Sequence, residues 1–136
     1  MQLKFTKMQG AGNDYIYLDC RQSGVPAEAG RWAAELSRRR FSVGADGLIC
    51  IAPPLLADAD ATMVMFNADG SEGAMCGNGI RCVAEYLYTH GVQKELIELD
   101  TRRAGRKTLY RVGPHVWRAG MGRFSARAAD LPAVGL

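Results

Sequence analysis

The stretch Ala74-Met75-Cys76-Gly77-Asn78-Gly79-Ile80-Arg81-Cys82 sets a thiol ahead of two glycines that flank an asparagine, and the apolar residues that follow read as a helix. If that helix begins at Asn78, Cys76 lies at its N-terminal end, where unpaired N–H groups and the positive end of the helix dipole stabilise an anion. A thiol held there should ionise more readily than a free one, which suits it to act as a nucleophile or a base. Gly77 and Gly79 would let a ligand come close to the backbone, so the N–H groups around Gly77 and Asn78 could hold a carboxylate. The competing reading is an inert buried thiol with Gly77 serving the helix cap. Burial alone does not require a glycine on each side of Asn78, which favours the functional reading. Cys82, inside the apolar helix, reads as core.

Polar side chains crowd the segments that could surround this thiol. Phe66-Asn67-Ala68-Asp69-Gly70-Ser71-Glu72-Gly73 ends a strand in a turn just ahead of Cys76 and brings hydrogen-bonding groups toward it. Gly10-Ala11-Gly12-Asn13-Asp14-Tyr15 has two of the glycines of a dinucleotide fingerprint but Tyr15 in place of the third, and it runs into a strand instead of a helix, so a phosphate-binding loop is excluded. Taken alone it is a structural turn carrying Asn13. Phe41 to Gly47 is a second tight connection that by itself demands no function. A Cys–His hydrolytic pair is weak, because His90 belongs at the far end of the helix and His115 in a hairpin turn.

The elements that must hold these residues are mostly strands. Leu3–Met8, Tyr15–Asp19, Leu48–Ile51, Ala61–Phe66, Leu96–Thr101, Lys107–Val112 and Val116–Met121 are rich in β-branched, aromatic and aliphatic residues and bounded by Gly, Pro or Asp. Residues 102–106 with Gly105, and the pair Gly113-Pro114, supply turns for consecutive hairpins. A first helix is expected over Ala27–Arg40, with Ala29, Trp32, Ala33 and Leu36 on its apolar face and Glu35 and Arg39 paired at i,i+4 outside. Arg38, Arg39 and Arg40 then read as a solvated, dipole-complementing last turn. The second, Asn78 to about Thr89, leaves only a narrow polar stripe at Arg81 and Glu85, so it should be buried, with His90-Gly91 as its stop. The expected class is α+β, a mixed sheet curled barrel-like around a central, mostly buried helix whose N-terminal end opens to a cleft.

The chain has 136 residues, 48% of them hydrophobic, enough for one compact domain. A net charge of +3 with 23% charged residues is far from the dense basic clustering of a nucleic-acid surface. No run of 18 apolar residues and no leader pattern is present, so a soluble cytoplasmic chain with no membrane partner is expected. The four cysteines form no CxxC pair, and with two histidines available a zinc site is poorly supported, so free thiols are expected.

The segments KMQGAGNDYIYLD, RFSVGADGLI, FNADGSEGAMCGNGIRC and a closing MG strand resemble, in order and spacing, the N-terminal half of diaminopimelate epimerases. The resemblance implies one of two similar domains, each a barrel-like sheet around a central helix, belonging to a cofactor-independent enzyme that interconverts L,L- and meso-diaminopimelate, a small amino acid. It implies that Cys76 is one of two catalytic thiols facing each other across the substrate α-carbon, and that Asn13, Asn67, Gly77 and Asn78 bind substrate. Some members of that family carry a glutamine after the equivalent of Asp46, where this sequence has Gly47. The resemblance further implies a second domain, absent here, that carries the other cysteine. Residues 1–118 then form the N-terminal domain, 119–136 a connecting segment, and an exposed sheet edge could support a homodimer. A proline racemase-like or phenazine-biosynthesis-like isomerase, or a thiol redox or binding module using Cys76 alone, are the alternatives.

Overall fold

A computed structural model describes residues 2–120. The chain runs β1 (Thr6–Gly10), β2 (Asn13–Asp19), α1 (Ala29–Leu36), β3 (Gly47–Ala52), β4 (Ala61–Asn67), β5 (Glu72–Gly73), α2 (Gly77–Thr89), β6 (Leu96–Thr101), β7 (Lys107–Gly113) and β8 (Val116–Ala119). The strands form one mixed sheet in the order β1-β2-β3-β4-β6-β7-β8, with the short β5 pairing β4 off that path. The β2–β3 and β4–β6 pairs are parallel and the others antiparallel. The parallel pairs need long crossovers, and α1 and α2 supply them.

The sheet curls into a half-barrel around α2, which packs on β1, β2 and β8. Its apolar circumference, including Ile80, Val83, Ala84 and Leu87, is buried against the inward residues Tyr17, Ile49, Met63, Ile97, Leu99 and Leu109. On the convex side α1 lays Ala29 and Ala33 over Ile16, Leu48, Cys50 and Val64. The middle strand β3 therefore lies between two helices and is buried at every residue, which explains its unbroken apolar run GLICIA. On β7, where no helix covers the outer face, Tyr110 and Val112 are exposed and alternate with buried Leu109.

The α+β half-barrel and its buried helix are as the sequence implied. Three local expectations are corrected. The first helix spans Ala29–Leu36, not Ala27–Arg40, since Arg40 adopts φ 75° and the chain leaves the helical path before the arginines. The Glu35–Arg39 pair does not form, because the Arg39 guanidinium reaches the side chains of Asp14 and Asp46. Glu85, on the polar stripe of α2, bonds His115 and the Trp117 indole N–H. An eighth strand, β5, sits within the segment read as a turn after Phe66. The connecting segment expected over 119–136, from Met121 onward, and the last part of the closing strand lie outside the described residues.

Candidate active site

Cys76 is the N-cap of α2, with extended backbone at φ −125° and ψ 122°, and its Sγ accepts from the Gly79 N–H at 3.5 Å. It is half-buried, while the other cysteines are buried. A thiol thus stands where Ser, Thr or Asp usually caps a helix. The helix head is pinned to the sheet by Tyr17, whose hydroxyl donates to the Gly79 carbonyl at 3.1 Å. Gly79 is buried there. A Cβ on it would lie 2.9 Å from Ile49 Cδ1 and 3.4 Å from the Tyr15 ring, so this glycine lets the helix press onto β2 and β3. That corrects the expectation that Gly79 faces a ligand. Gly77, beside Cys76, is half-exposed.

Asn78 and Asn13 meet directly. The Asn78 amide nitrogen donates to Asn13 Oδ1 at 2.8 Å, and Arg81 donates to Asn78 Oδ1 at 3.2 Å. Asn13 opens β2 after a hairpin turn in which Ala11 (φ 49°) and Gly12 (φ 93°) both take positive φ. Its own amide nitrogen donates to Asp46 Oδ2 at 3.2 Å, and the Asp14 backbone N–H donates to the same oxygen at 3.1 Å. Arg39 bridges Asp46 and Asp14, and Lys7 pairs with Asp14 at 3.0 Å. The Arg39 guanidinium holds the Asp14 carboxyl well below the usual carboxylate range, against the opposing effect of burial, with Lys7 adding to it.

Asn67 stands apart from that chain. It ends β4 opposite Gly47, is exposed, and donates to the Ser71 hydroxyl at 3.1 Å. Gly47 in turn pairs with Tyr15, so Asn67 lies at the same end of the sheet as the other site residues without bonding to them. At Gly47 a Cβ would run into the Phe66 carbonyl oxygen, so this backbone leaves no room for the glutamine that stands there in some family members. Tyr15 fills the space between Gly47 and Gly79. Burial, and then the Cys76 sulfur beside its hydroxyl, push its phenol up, so that it stays protonated.

The structure thus brings together Cys76, Gly77, Asn78 and Asn13, leaves Asn67 at the margin, and adds Tyr15, Asp46 and Arg39. Sequence reasoning passed over the last three. Asp46 had a signal in the tight Gly44-Ala45-Asp46-Gly47 turn, but Arg39 was absorbed into an overextended helix. His90 caps the opposite end of α2 and His115 bonds Glu85, so neither is a base for Cys76. Among the described residues no group of three or more His, Cys, Asp or Glu side chains converges on a metal position. A groove of about 470 Å³ runs between β1 and the β7–β8 turn along Asn78, Arg81 and Cys82, and one of about 740 Å³ lies at the other end of α2, around Lys4, Arg21, Tyr86 and His90.

A curled mixed sheet wrapped on a buried helix is a fold that this chain shares with solved isomerase and racemase structures. Solved structures share it at low sequence identity: methylitaconate-delta-isomerase (TM-score 0.62, 17% identical, 81% of this chain and 34% of that one), and a probable proline racemase from Agrobacterium radiobacter K84 (TM-score 0.58, 19% identical, 80% of this chain and 38% of that one). Within that class, the chain belongs to the diaminopimelate epimerase family, whose model matches residues 5–120. It is 52% identical over 101 residues to the diaminopimelate epimerase of Desulfovibrio desulfuricans, covering 74% of this chain and 34% of the relative. With the Bacteroides thetaiotaomicron enzyme of that name it is 50% identical over 109 residues, 79% of this chain and 39% of the relative. The chain spans somewhat over a third of the length of these curated relatives.

Proposed function

We propose that this chain supplies one half of the active site of a cytoplasmic epimerase that inverts the α-carbon of diaminopimelate between the L,L and meso forms, on the route to lysine, without pyridoxal phosphate. The observation that carries the reading is a single thiol capping the buried helix of a matched family domain, with two asparagine amides joined beside it. An α-C–H is a very weak acid, so a base must act in a dry site that stabilises developing negative charge. In this reading Cys76, as thiolate, takes the α-proton from one face, and a second cysteine on a further domain delivers its proton to the opposite face. In the reverse direction Cys76 is the donor. The N–H groups at Gly77 and Asn78 and the asparagine amides, with Asn67 at the margin, bind the substrate's oxygens, and a homodimer is compatible with β1 and β8 being the edge strands of the sheet among the described residues.

The test pairs this chain with the C-terminal two-thirds of the Desulfovibrio desulfuricans relative and follows deuterium entry at the α-carbon of diaminopimelate in D2O, with proline as the competing substrate. Exchange on diaminopimelate that disappears in Cys76→Ser supports the reading. Exchange that persists in Cys76→Ser, that prefers proline, or that this chain sustains alone, contradicts it.

A further inference from the structure

We infer that Asp46 is a positioning residue for the site at the head of α2: it fixes which way the Asn13 and Asn78 amides face, so that N–H donors are presented beside Cys76. The inference rests on the reading of Cys76 given above. Asp46 Oδ2 accepts from Asn13 Nδ2 at 3.2 Å, Asn13 Oδ1 accepts from Asn78 Nδ2 at 2.8 Å, and Asn78 Oδ1 accepts from Arg81 at 3.2 Å. A carboxylate can only accept and a guanidinium can only donate, so the two ends of this chain dictate the polarity of both amides between them. Turning either amide over would set nitrogen against nitrogen or oxygen against oxygen. Arg39 holds the second Asp46 oxygen at 3.1 Å, and the Asp14 backbone N–H shares the first, so the carboxylate that starts the chain is itself fixed from two sides.

The consequence is selective. Each asparagine spends one amide hydrogen within the chain and keeps one, and each amide oxygen already accepts one bond, so the remaining hydrogens are unspent donors among the described residues. Such donors suit a carboxylate. Asn78 follows Cys76 by two residues, so a carboxylate held by its amide lies at the same helix head as the thiol.

Two alkylating agents of nearly equal size read this directly. Iodoacetate carries a carboxylate and iodoacetamide does not; with either, the Cys76 sulfur forms a bond to the CH2 carbon, iodide leaves, and the thiol proton passes to solvent. In the wild-type chain Cys76 should react with iodoacetate in preference, and Asp46→Asn should lower that preference about tenfold while the iodoacetamide rate stays unchanged. The sign is diagnostic, since removing a negative charge near the site would by electrostatics alone raise the iodoacetate preference. A preference that rises or stays the same in Asp46→Asn overturns the positioning role and leaves the reading of Cys76 standing. No preference in the wild type overturns both. Should Asp46→Asn fail to fold, couplings across the hydrogen bonds in the wild-type NMR spectrum decide the matter. A coupling from Asn13 Nδ2 to the Asp46 carboxyl, and one from Asn78 Nδ2 to the Asn13 carbonyl carbon, are expected. Coupling from Asn13 Nδ2 to the Asn78 carbonyl carbon would contradict the inference.

Discussion

The two ends of α2 are built from similar polar groups and do opposite things with them. At the C-terminal end the polar groups bond one another and the last carbonyls of the helix. Tyr86 donates to Asp19 at 3.1 Å and stacks on His90 at 3.8 Å, the Thr89 hydroxyl turns back on the Glu85 carbonyl, and Arg21 clamps Asp19. At the N-terminal end a thiol replaces the usual capping oxygen, and the asparagine chain leaves amide hydrogens unspent. One end completes a helix; the other holds donors in reserve for something that is not part of the fold. The comparison teaches that a site shows itself less by being polar than by keeping hydrogen-bonding capacity that the fold has not used.

The largest effect should come from removing the thiol. Cys76→Ser, assayed in the paired enzyme, is expected to lower α-proton exchange by about a thousandfold, within the range for losing an acid–base group. Tyr86→Phe at the other end should leave exchange unchanged, and a comparable loss there would erase the distinction between the ends. Next is the shared body of the helix. Leu87 is fully buried, and Leu87→Ala should cost about 2–5 kcal/mol in chemical denaturation. Gly79→Val, which must push Ile49 and Tyr15 aside, should cost about 1–3 kcal/mol and also slow alkylation of Cys76 as the helix head lifts.

The contrast is legible in the sequence to different depths. An apolar circumference from Ile80 to Leu87 announces a buried helix, and the glycines around Asn78 announce an unusual start to it, because both signals are local. The curled sheet follows from that buried helix in a chain of short strands, which must wrap around it. What the sequence does not display is pairing at a distance. Asp46 and Asn13 are 33 residues apart and meet because β2 and β3 lie parallel in one register. Arg39 looks like the end of a helix until those carboxylates draw it away, and β5, two residues long, exists only because β4 is beside it. Gly79 reads as a ligand-facing glycine until Ile49 is placed against it.

The smallest effects concern charge and single hydrogen bonds. The Arg21 guanidinium lowers the Asp19 carboxyl from 3.8 to about 2, with burial opposing and Tyr86 assisting; Asp14 lies lower still. Because both are depressed in the folded state, their stabilisation is fully present above about pH 4 and is lost as pH falls toward 2, the unfolded chain taking up protons first. Both pairs are partly solvated, so each should contribute under about 1 kcal/mol. Acid unfolding followed by circular dichroism should therefore steepen below pH 4 and flatten in Asp19→Asn. Tyr86→Phe should cost about 1 kcal/mol through its bond to Asp19.

The central claim is that the head of α2, and not its tail, receives the substrate. Titrating diaminopimelate into the isotope-labelled chain tests it most directly. The account predicts shifts in the backbone amides of Gly77, Asn78 and Gly79 and in the side-chain amides of Asn13 and Asn78, with Arg21, Tyr86 and His90 unmoved. Shifts centred on the Lys4, Arg21 and His90 groove, with the head of α2 silent, would contradict it.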